Sequence, residues 1–320
     1  MSETKTASGP SAHQEIEEGV CYFDGRLVPL KEATVSIATH ALNYGTGCFE
    51  GLRGYWGQET SDLYIVKARE HYERLHRSAH ILKIRVPHTV DELIDITVAM
   101  VKDNGFRQDV YIRPLAFKAG AMIKVGLAGV RDGFGIFAFP MGDYVATSGL
   151  RVGVSSWQRI SDNTIPSRAK VTGAYINAAL ASDAAQADGY DEAIMLGMDG
   201  QVAEASSSNL FIVRGGRLIT TPVTADILEG ITRQAMFQLA ADAGIPIEER
   251  PIDRTELYVA DEVFLCGTGV QVAGVVEVDH RQIGTGKPGP ITNRLQQAYF
   301  GAVRGQDDRY RGWLTPVYGS

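Results

Sequence analysis

Cysteine is scarce in this chain. Cys21, Cys48 and Cys266 are the only three in 320 residues, and no two stand at CxxC spacing. That count excludes a disulfide framework or a zinc ribbon and makes a reducing, cytoplasmic compartment the expectation. Long apolar runs are missing too: none reaches the ~18–20 residues that a membrane helix needs. Residues 1–18 lack the apolar stretch of a secretory signal and read as a disordered leader. Positive charge is in deficit, with 31 Lys and Arg against 38 Asp and Glu for a net −7. Nucleic acid is therefore not an expected partner, while a local pocket can still hold one small anion. The GxSxG elbow, the Walker loop and a GxGxxG turn after a strand are all absent. Their absence removes the hydrolase, nucleotide and dinucleotide readings. His71, His76 and His80 share a helix without an HExxH pattern or a supporting Cys/Asp set. They read as a solvated face, and no metal is expected.

What is present is a globular composition, 44% hydrophobic and 22% charged, with length for two domains. Asp24 and Gly25 between two short apolar runs predict a β-hairpin over 21–28, and 63–66 predicts a strand. Tyr72, Leu75, Ala79 and Leu82 fall at helical spacing over 68–82. Thr89 and Glu92 form a capping-box pattern ahead of a helix that ends near Asn104 and Gly105. Strands follow at 110–116 and 134–140. The short polar stretch 141–149 marks a boundary between a smaller domain, 19–140, and a larger one, 150–320. The second half is expected to hold a strand at 151–156 and an Ala-rich helix at 171–188. A meander follows at 192–198, 201–205, 209–213 and 217–221, then a helix at 230–244, a strand at 261–266 and a helix at 292–303. Strands and helices come in groups rather than in alternation, which points to the α+β class.

Five places carry candidate chemistry. Of nine lysines, Lys170 stands out because Ala169 and Val171 flank it at the start of the Ala-rich helix. Partly apolar surroundings disfavour a charged amine and free it as a nucleophile, although a lysine snorkelling at a helix start is the plainer reading. Gly230, Ile231 and Thr232 open a helix whose unpaired N–H groups and positive dipole end favour an anion. The turn Gly267-Thr268-Gly269 after a strand is a second loop of that type, and each also reads as an ordinary turn. Glu204 lies in a strand of Val and Ala, where a carboxylate needs either solvent at a sheet edge or a partner. Tyr111 and Arg113 share one strand face, so a hydroxyl and a guanidinium project together toward a ligand carboxylate or an internal acid.

In their order along the chain these segments resemble the branched-chain aminotransferases of the class IV, fold-type IV pyridoxal-phosphate enzymes. The likeness spans roughly 20–317. It rests on Ala41-Leu42-Asn43-Tyr44-Gly45-Thr46, Phe49-Glu50-Gly51-Leu52-Arg53, Arg69-Glu70-His71 through Arg74-Leu75, and Tyr111-Ile112-Arg113-Pro114. The second half adds Asn163-Thr164-Ile165-Pro166 to Lys170, Glu204 to Phe211, Gly230-Ile231-Thr232-Arg233 and Asp261-Glu262-Val263-Phe264. Gly289-Pro290-Ile291-Thr292 and Gly312-Trp313-Leu314 complete it.

The resemblance implies a two-domain fold: a smaller N-terminal α/β sandwich and a larger C-terminal pseudo-barrel that holds pyridoxal 5′-phosphate. Residues 141–149 would be the interdomain loop over the active site. Lys170 would be the Schiff-base lysine and proton carrier, and Glu204 the partner of the pyridine nitrogen. Tyr175 would bond the cofactor's 3′-oxygen, Leu228 would pack on its ring, and Arg74, Ile231, Thr232 and Thr268 would hold its phosphate. Tyr44, Phe49, Gly51, Tyr111, Arg113 and Tyr144 would surround the substrate. Its α-carboxylate would meet Tyr111 and the amides at Thr268 and Gly269, and Arg113 would meet the γ-carboxylate of glutamate.

The implied reaction moves an amino group reversibly between leucine, isoleucine or valine and 2-oxoglutarate. The implied assembly is a homodimer or larger, in which a small-domain loop near Tyr44 completes the neighbouring pocket. Met141 in place of an aromatic ring, Ser206-Ser207-Ser208 in place of a Gly-rich turn, and 120–129 without Asn-Pro depart from the family pattern. These departures bear on pocket shape, and so on activity toward aromatic amino acids or (R)-amines. Rivals of the same fold are D-amino acid and (R)-amine transaminases and aminodeoxychorismate lyase. The Tyr111/Arg113 pair and the full C-terminal segment favour the branched-chain type. A non-catalytic binding protein of this fold is the rival of another class, and it predicts no bound chromophore.

Overall fold

Val20–Phe23 and Arg26–Pro29 pair antiparallel across Asp24 and Gly25, whose φ of 42° and 99° are the left-handed pair that a two-residue turn demands. The computed structural model to which this hairpin belongs describes residues 16, 18–142 and 149–319. Most of the expected leader and the middle of the expected interdomain loop, with Tyr144, lie outside the described residues.

The hairpin forms one edge of an eight-stranded antiparallel sheet. From the far edge the order is Leu314–Pro316, Asp62–Val66, Leu52–Gly57, Val110–Lys118, Asp132–Pro140 and then the hairpin, with Gly47–Phe49 paired onto Val110–Lys118. Helices Ala68–Ile81 and Val90–Asp103 pack on it, burying Tyr72, Leu75 and Leu93 against Leu52, Ile65 and Ile112. The second helix starts as its sequence predicts: Thr89 accepts from the Glu92 amide, and Glu92 accepts from the Thr89 amide at 2.7 Å.

A second sheet of nine strands runs Val202–Ala205, Glu192–Leu196, Leu150–Val154, Gln271–Val278, Glu262–Gly267, Asn209–Arg214, Arg217–Thr220 and Ile247–Glu249, with Arg281–Gln282 added to Gln271–Val278. It mixes directions, since Leu150–Val154 lies parallel to both neighbours. Helices Tyr175–Ala187, Ile231–Asp242 and Pro290–Val303 pack against it. Phe211 and Phe264 stack at 5.0 Å in the core beneath the last two.

Strands from 20–140 fall in the first sheet and strands from 150–282 in the second. The tail departs from its expected place in the larger domain, because Leu314–Pro316 is an edge strand of the first sheet, paired with Asp62–Val66. Asp62 secures this return: its Oδ1 accepts from the amides of Leu63 at 2.7 Å, Val317 at 3.3 Å and Tyr318 at 2.7 Å.

The other departure shapes the functional site. The stretch 171–188 is not helical from its start. Val171 bridges to Cys48 of the first sheet, Thr172–Ala174 forms a single 3-10 turn, and the α-helix begins only at Tyr175. Contacts with the first sheet outcompete helical bonds here. The Gly173 amide donates to Gly45 O at 3.1 Å, and Thr172 Oγ1 donates to Gly45 O at 2.9 Å and Gly47 O at 3.1 Å. Gly173 is needed for that approach, since a Cβ there would press on the Gly45 backbone. Lys170 therefore sits on chain stitched to the first sheet, not on a helix.

Candidate active site

Lys170 is held by its backbone. Its amide donates to Ser78 Oγ and its carbonyl accepts from the Phe49 amide, each at 3.1 Å. The side chain is thereby left to enter a cleft of about 530 Å³ lined from both halves of the chain, a size suited to a small molecule. Nζ donates to Tyr175 Oη at 2.5 Å and stands 4.9 Å from the centre of the Phe49 ring.

Glu204 lies on an edge strand yet is only 5% exposed, so solvent is not its partner. Register shifts between Val202 and Glu204, an irregularity of the kind that re-aims a side chain. Oε1 meets the Arg159 guanidinium at 2.8 Å and the Leu228 amide at 3.2 Å, and Oε2 accepts from Asn209 Nδ2 at 2.9 Å. Burial pushes this carboxyl up from its ordinary range, against the opposing pull of Arg159 and the Leu228 amide. Asn209 also donates to Leu228 O at 3.0 Å, and a Cβ on Gly230 would collide with Asn209 Oδ1. Sequence reasoning did not find Arg159; its partner lies far along the chain and its own neighbours carry no signal.

Lining the same cleft, helix Ile231–Asp242 begins with Gly230 as a cap that makes no side-chain bond, and its first turn has no acid. The first amide to find a helical acceptor is that of Gln234, on Gly230 O at 3.0 Å. Among the described residues those of Ile231 and Thr232 meet no acceptor, the usual state of a helix N-terminus open to an anion. Thr268 and Gly269 belong to the turn between Glu262–Gly267 and Gln271–Val278 and line the same cleft. A small adjoining cavity is bounded by His71, Ile231, Thr232 and Thr268 together. Arg74 also lines the main cleft and donates from Nη1 to Glu229 O at 2.9 Å.

His71 corrects the expectation of a solvated face. It is 3% exposed, and its Nδ1 bonds Glu50 Oε2 at 2.8 Å. A buried carboxylate needs donors, and His71 and Arg74, three residues apart on one helix face, supply them.

Along the wall, Arg113 Nη2 donates to Tyr111 Oη at 3.1 Å, and the guanidinium lies 4.4 Å from the Phe49 ring centre. Among the described residues Arg113 has no carboxylate partner, and its Nε is buried without a hydrogen bond. The internal-acid alternative therefore finds no support. Gly51 allows the close approach of Tyr111, whose Oη a Cβ would overlap. Phe139 and Met141 complete the wall, and Arg53 donates to Met141 O at 3.0 Å and Gly142 O at 2.7 Å. Tyr44 is not brought into the cleft. It is 38% exposed at the end of the short helix His40–Tyr44, its ring 4.7 Å from that of His40.

An amine, a buried carboxylate and an open helix end lining one cleft define a class of protein, and the family model for class IV amino-transferases matches residues 47–278. The probable branched-chain-amino-acid aminotransferase of Aquifex aeolicus is 48% identical over 299 residues, 93% of this chain and 96% of the relative. The branched-chain-amino-acid aminotransferase of Escherichia coli K12 is 40% identical over 301 residues, 92% and 96% of the two chains. Among solved structures, the branched-chain aminotransferase of Thermoproteus uzoniensis with norvaline superposes with a TM-score of 0.91 at 44% identity, covering 94% of this chain and 100% of that one. The branched-chain amino acid aminotransferase of Thermobaculum terrenum in its PLP-form gives 0.90 at 38% identity, over 94% and 99%. The chain belongs to the branched-chain-amino-acid aminotransferases of class IV.

Pyridoxal 5′-phosphate is the cofactor of that class, and the donor set fits it. Glu204, buried and raised, is matched to a cationic ring nitrogen. The uncapped helix end, Thr268 and Arg74 are matched to a phosphate.

Proposed function

We propose that this chain moves an amino group reversibly between leucine, isoleucine or valine and 2-oxoglutarate, with pyridoxal 5′-phosphate held covalently through Lys170 Nζ. The observation that carries this reading is the lining of one cleft by the Lys170 amine, the Glu204 carboxylate and the open end of helix Ile231–Asp242. The bound cofactor supplies an electron sink for the pair released when the substrate's Cα–H bond breaks. Glu204, oriented by Arg159, Asn209 and the Leu228 amide, keeps a proton on the ring nitrogen. Arg74, Ile231, Thr232 and Thr268 would hold the phosphate, Tyr175 Oη would bond the 3′-oxygen, and Leu228 would pack on the ring. Lys170 Nζ, freed once the substrate's own amine takes its place, would take the proton from Cα and pass it to the cofactor's C4′, and the reverse half-reaction would carry it back. Tyr111 and the amides of Thr268 and Gly269 receive the α-carboxylate.

One pocket serves both substrates. Arg113 meets the γ-carboxylate of glutamate, while an aliphatic side chain packs on Phe49 and Phe139. Initial rates with L-leucine are expected to exceed those with D-alanine and (R)-1-phenylethylamine; a dominant rate with either of the latter overturns the reading. Arg113→Gln is expected to raise KM for 2-oxoglutarate roughly 10–100-fold, the loss of a charged hydrogen bond of ~1.5–3 kcal/mol. KM for the leucine-derived oxo acid should rise about threefold at most, and equal rises would contradict the assignment.

The working unit is proposed to be a homodimer. Val35, Ile37 and Leu42 are exposed apolar side chains, Ile37 at 85%, and Ile123 and Val125 stand exposed nearby. The two segments are joined by a bridge between Thr39 and Ala121 and by the His40 amide on Gly120 O. A second copy covering this face would bring the segment near Tyr44 to the neighbouring site. Light scattering is expected to report twice the chain mass, and Ile37→Asp to lower it together with activity. A fully active monomer would contradict this. Three buried free thiols support a reducing, cytoplasmic location, and the net charge of −7 supports small-molecule partners over nucleic acid. Among the described residues no helix is long and apolar enough to cross a membrane.

A further inference from the structure

Glu50 is a wholly buried carboxylate that the chemistry above does not use. Its amide donates to Pro114 O at 3.0 Å, which fixes the backbone beside Gly51. Three side-chain donors meet its carboxylate: Arg74 Nε at 2.7 Å, Arg74 Nη2 at 2.8 Å and His71 Nδ1 at 2.8 Å. Burial pulls the carboxyl upward, but the Arg74 guanidinium and the His71 bond outweigh it and hold the group well below the usual carboxylate range. Burial pushes His71 down against the opposing pull of Glu50, and its Nδ1 stays on the carboxylate.

A guanidinium carries five N–H donors. Glu50 takes two of those on Arg74 and Glu229 O takes one, which leaves two, one on each Nη. The paired bonds to Glu50 set the plane of the fork, and so the direction in which the remaining donors point. Arg74 lines the cleft, next to the open amides of Ile231 and Thr232.

We propose that Glu50, backed by His71, is a positioning residue that fixes the Arg74 guanidinium in the orientation that receives the cofactor's phosphate. The proposal rests on the reading that Arg74 faces that phosphate. Glu50 acts only through Arg74. A mere counter-ion has the opposite sign of effect: removing its negative charge would strengthen the field at the cleft and tighten phosphate binding. Orientation dominates, because the Glu50 charge reaches the phosphate only across the guanidinium, whereas its two bonds decide whether the guanidinium is aligned at all.

The test is a titration of the full chain with pyridoxal 5′-phosphate and with pyridoxal, which has the same ring and aldehyde without the phosphate. Glu50→Gln is expected to weaken pyridoxal 5′-phosphate at least tenfold, with pyridoxal affinity unchanged within about threefold. The double variant with Arg74→Gln should bind no more weakly than Arg74→Gln alone. Unchanged or tighter binding by Glu50→Gln would overturn the proposal in favour of a counter-ion, and equal losses for both ligands would overturn it in favour of general distortion. Losses that add in the double variant would also refute it, since Glu50 would then act independently of Arg74. If Arg74→Gln itself keeps full phosphate selectivity, the reading of Arg74 fails first and the proposal with it. Should Glu50→Gln not fold, Glu50→Asp decides the matter. It keeps the charge, shortens the reach, and is expected to show a loss of at least threefold confined to the phosphorylated ligand.

Discussion

Lys170→Ala is expected to lower kcat by roughly 10⁴-fold, the upper range for a positioned acid–base group, because the covalent hold on the cofactor is lost as well. The fold should survive. Lys170 is anchored through its amide on Ser78 and its carbonyl on Phe49, neither of which needs the side chain, and among the described residues Nζ bonds only Tyr175 Oη. A stopped assay beside a thermal melt checks both halves: kcat should collapse while Tm moves little. A fall of less than about tenfold would mean that another group carries the Cα proton.

Glu204→Ala is expected to act on rate and stability at once. Removing the anion that keeps the ring nitrogen protonated should cost about 10²–10³ in kcat, the scale of a lost preorganised charge contact. It also leaves Arg159, largely buried, without its carboxylate, and breaking a buried pair on one side costs ~3–5 kcal/mol. Replacing Arg159 by Met in the same chain should recover most of the stability and none of the rate, which separates the two effects in one pair of measurements. A pH dependence follows. Burial raises the Glu204 carboxyl above its unfolded value, so the cofactor-free native state holds that proton more tightly than the unfolded chain does. Stability conferred by this group is present at low pH and is lost as pH rises from the ordinary carboxylate range through the raised value. Glu204→Gln should flatten that part of the stability–pH curve, and an unchanged slope would assign it to another group.

What was legible in the sequence was local. The turn at Asp24 and Gly25, the Thr89/Glu92 box and the helix opening at Gly230 are each decided within a few residues, and each has the expected geometry. What was not legible depends on distant chain. Gln271–Val278 sits inside the second sheet and was not foreseen as a strand. Val272 and Ala273 are buried on opposite faces, so no polar alternation marks it. Leu314–Pro316 is too short to show a period, and its proline is tolerable only because the strand is an edge. The helix expected at 171 gives way until Tyr175, because Val171, Thr172 and Gly173 are weak helix formers and bonds to Gly45 and Gly47 hold them to the first sheet.

The site divides in the same way. Lys170, Glu204 and the residues around Gly230 stand in short motifs whose order carries the family likeness. Arg159 on Glu204, and Glu50 with His71 behind Arg74, are buried pairs between remote segments that no spacing announces. Tyr44, named from likeness, stands outside the cleft of a single chain.

The central claim is that Lys170 carries the cofactor. Borohydride reduction of the purified protein loaded with pyridoxal 5′-phosphate, followed by peptide mapping, tests it most directly. The account predicts a bound chromophore before reduction and a pyridoxyl label on the peptide containing Lys170 afterwards. Absence of the chromophore, or a label on any other lysine, would contradict it.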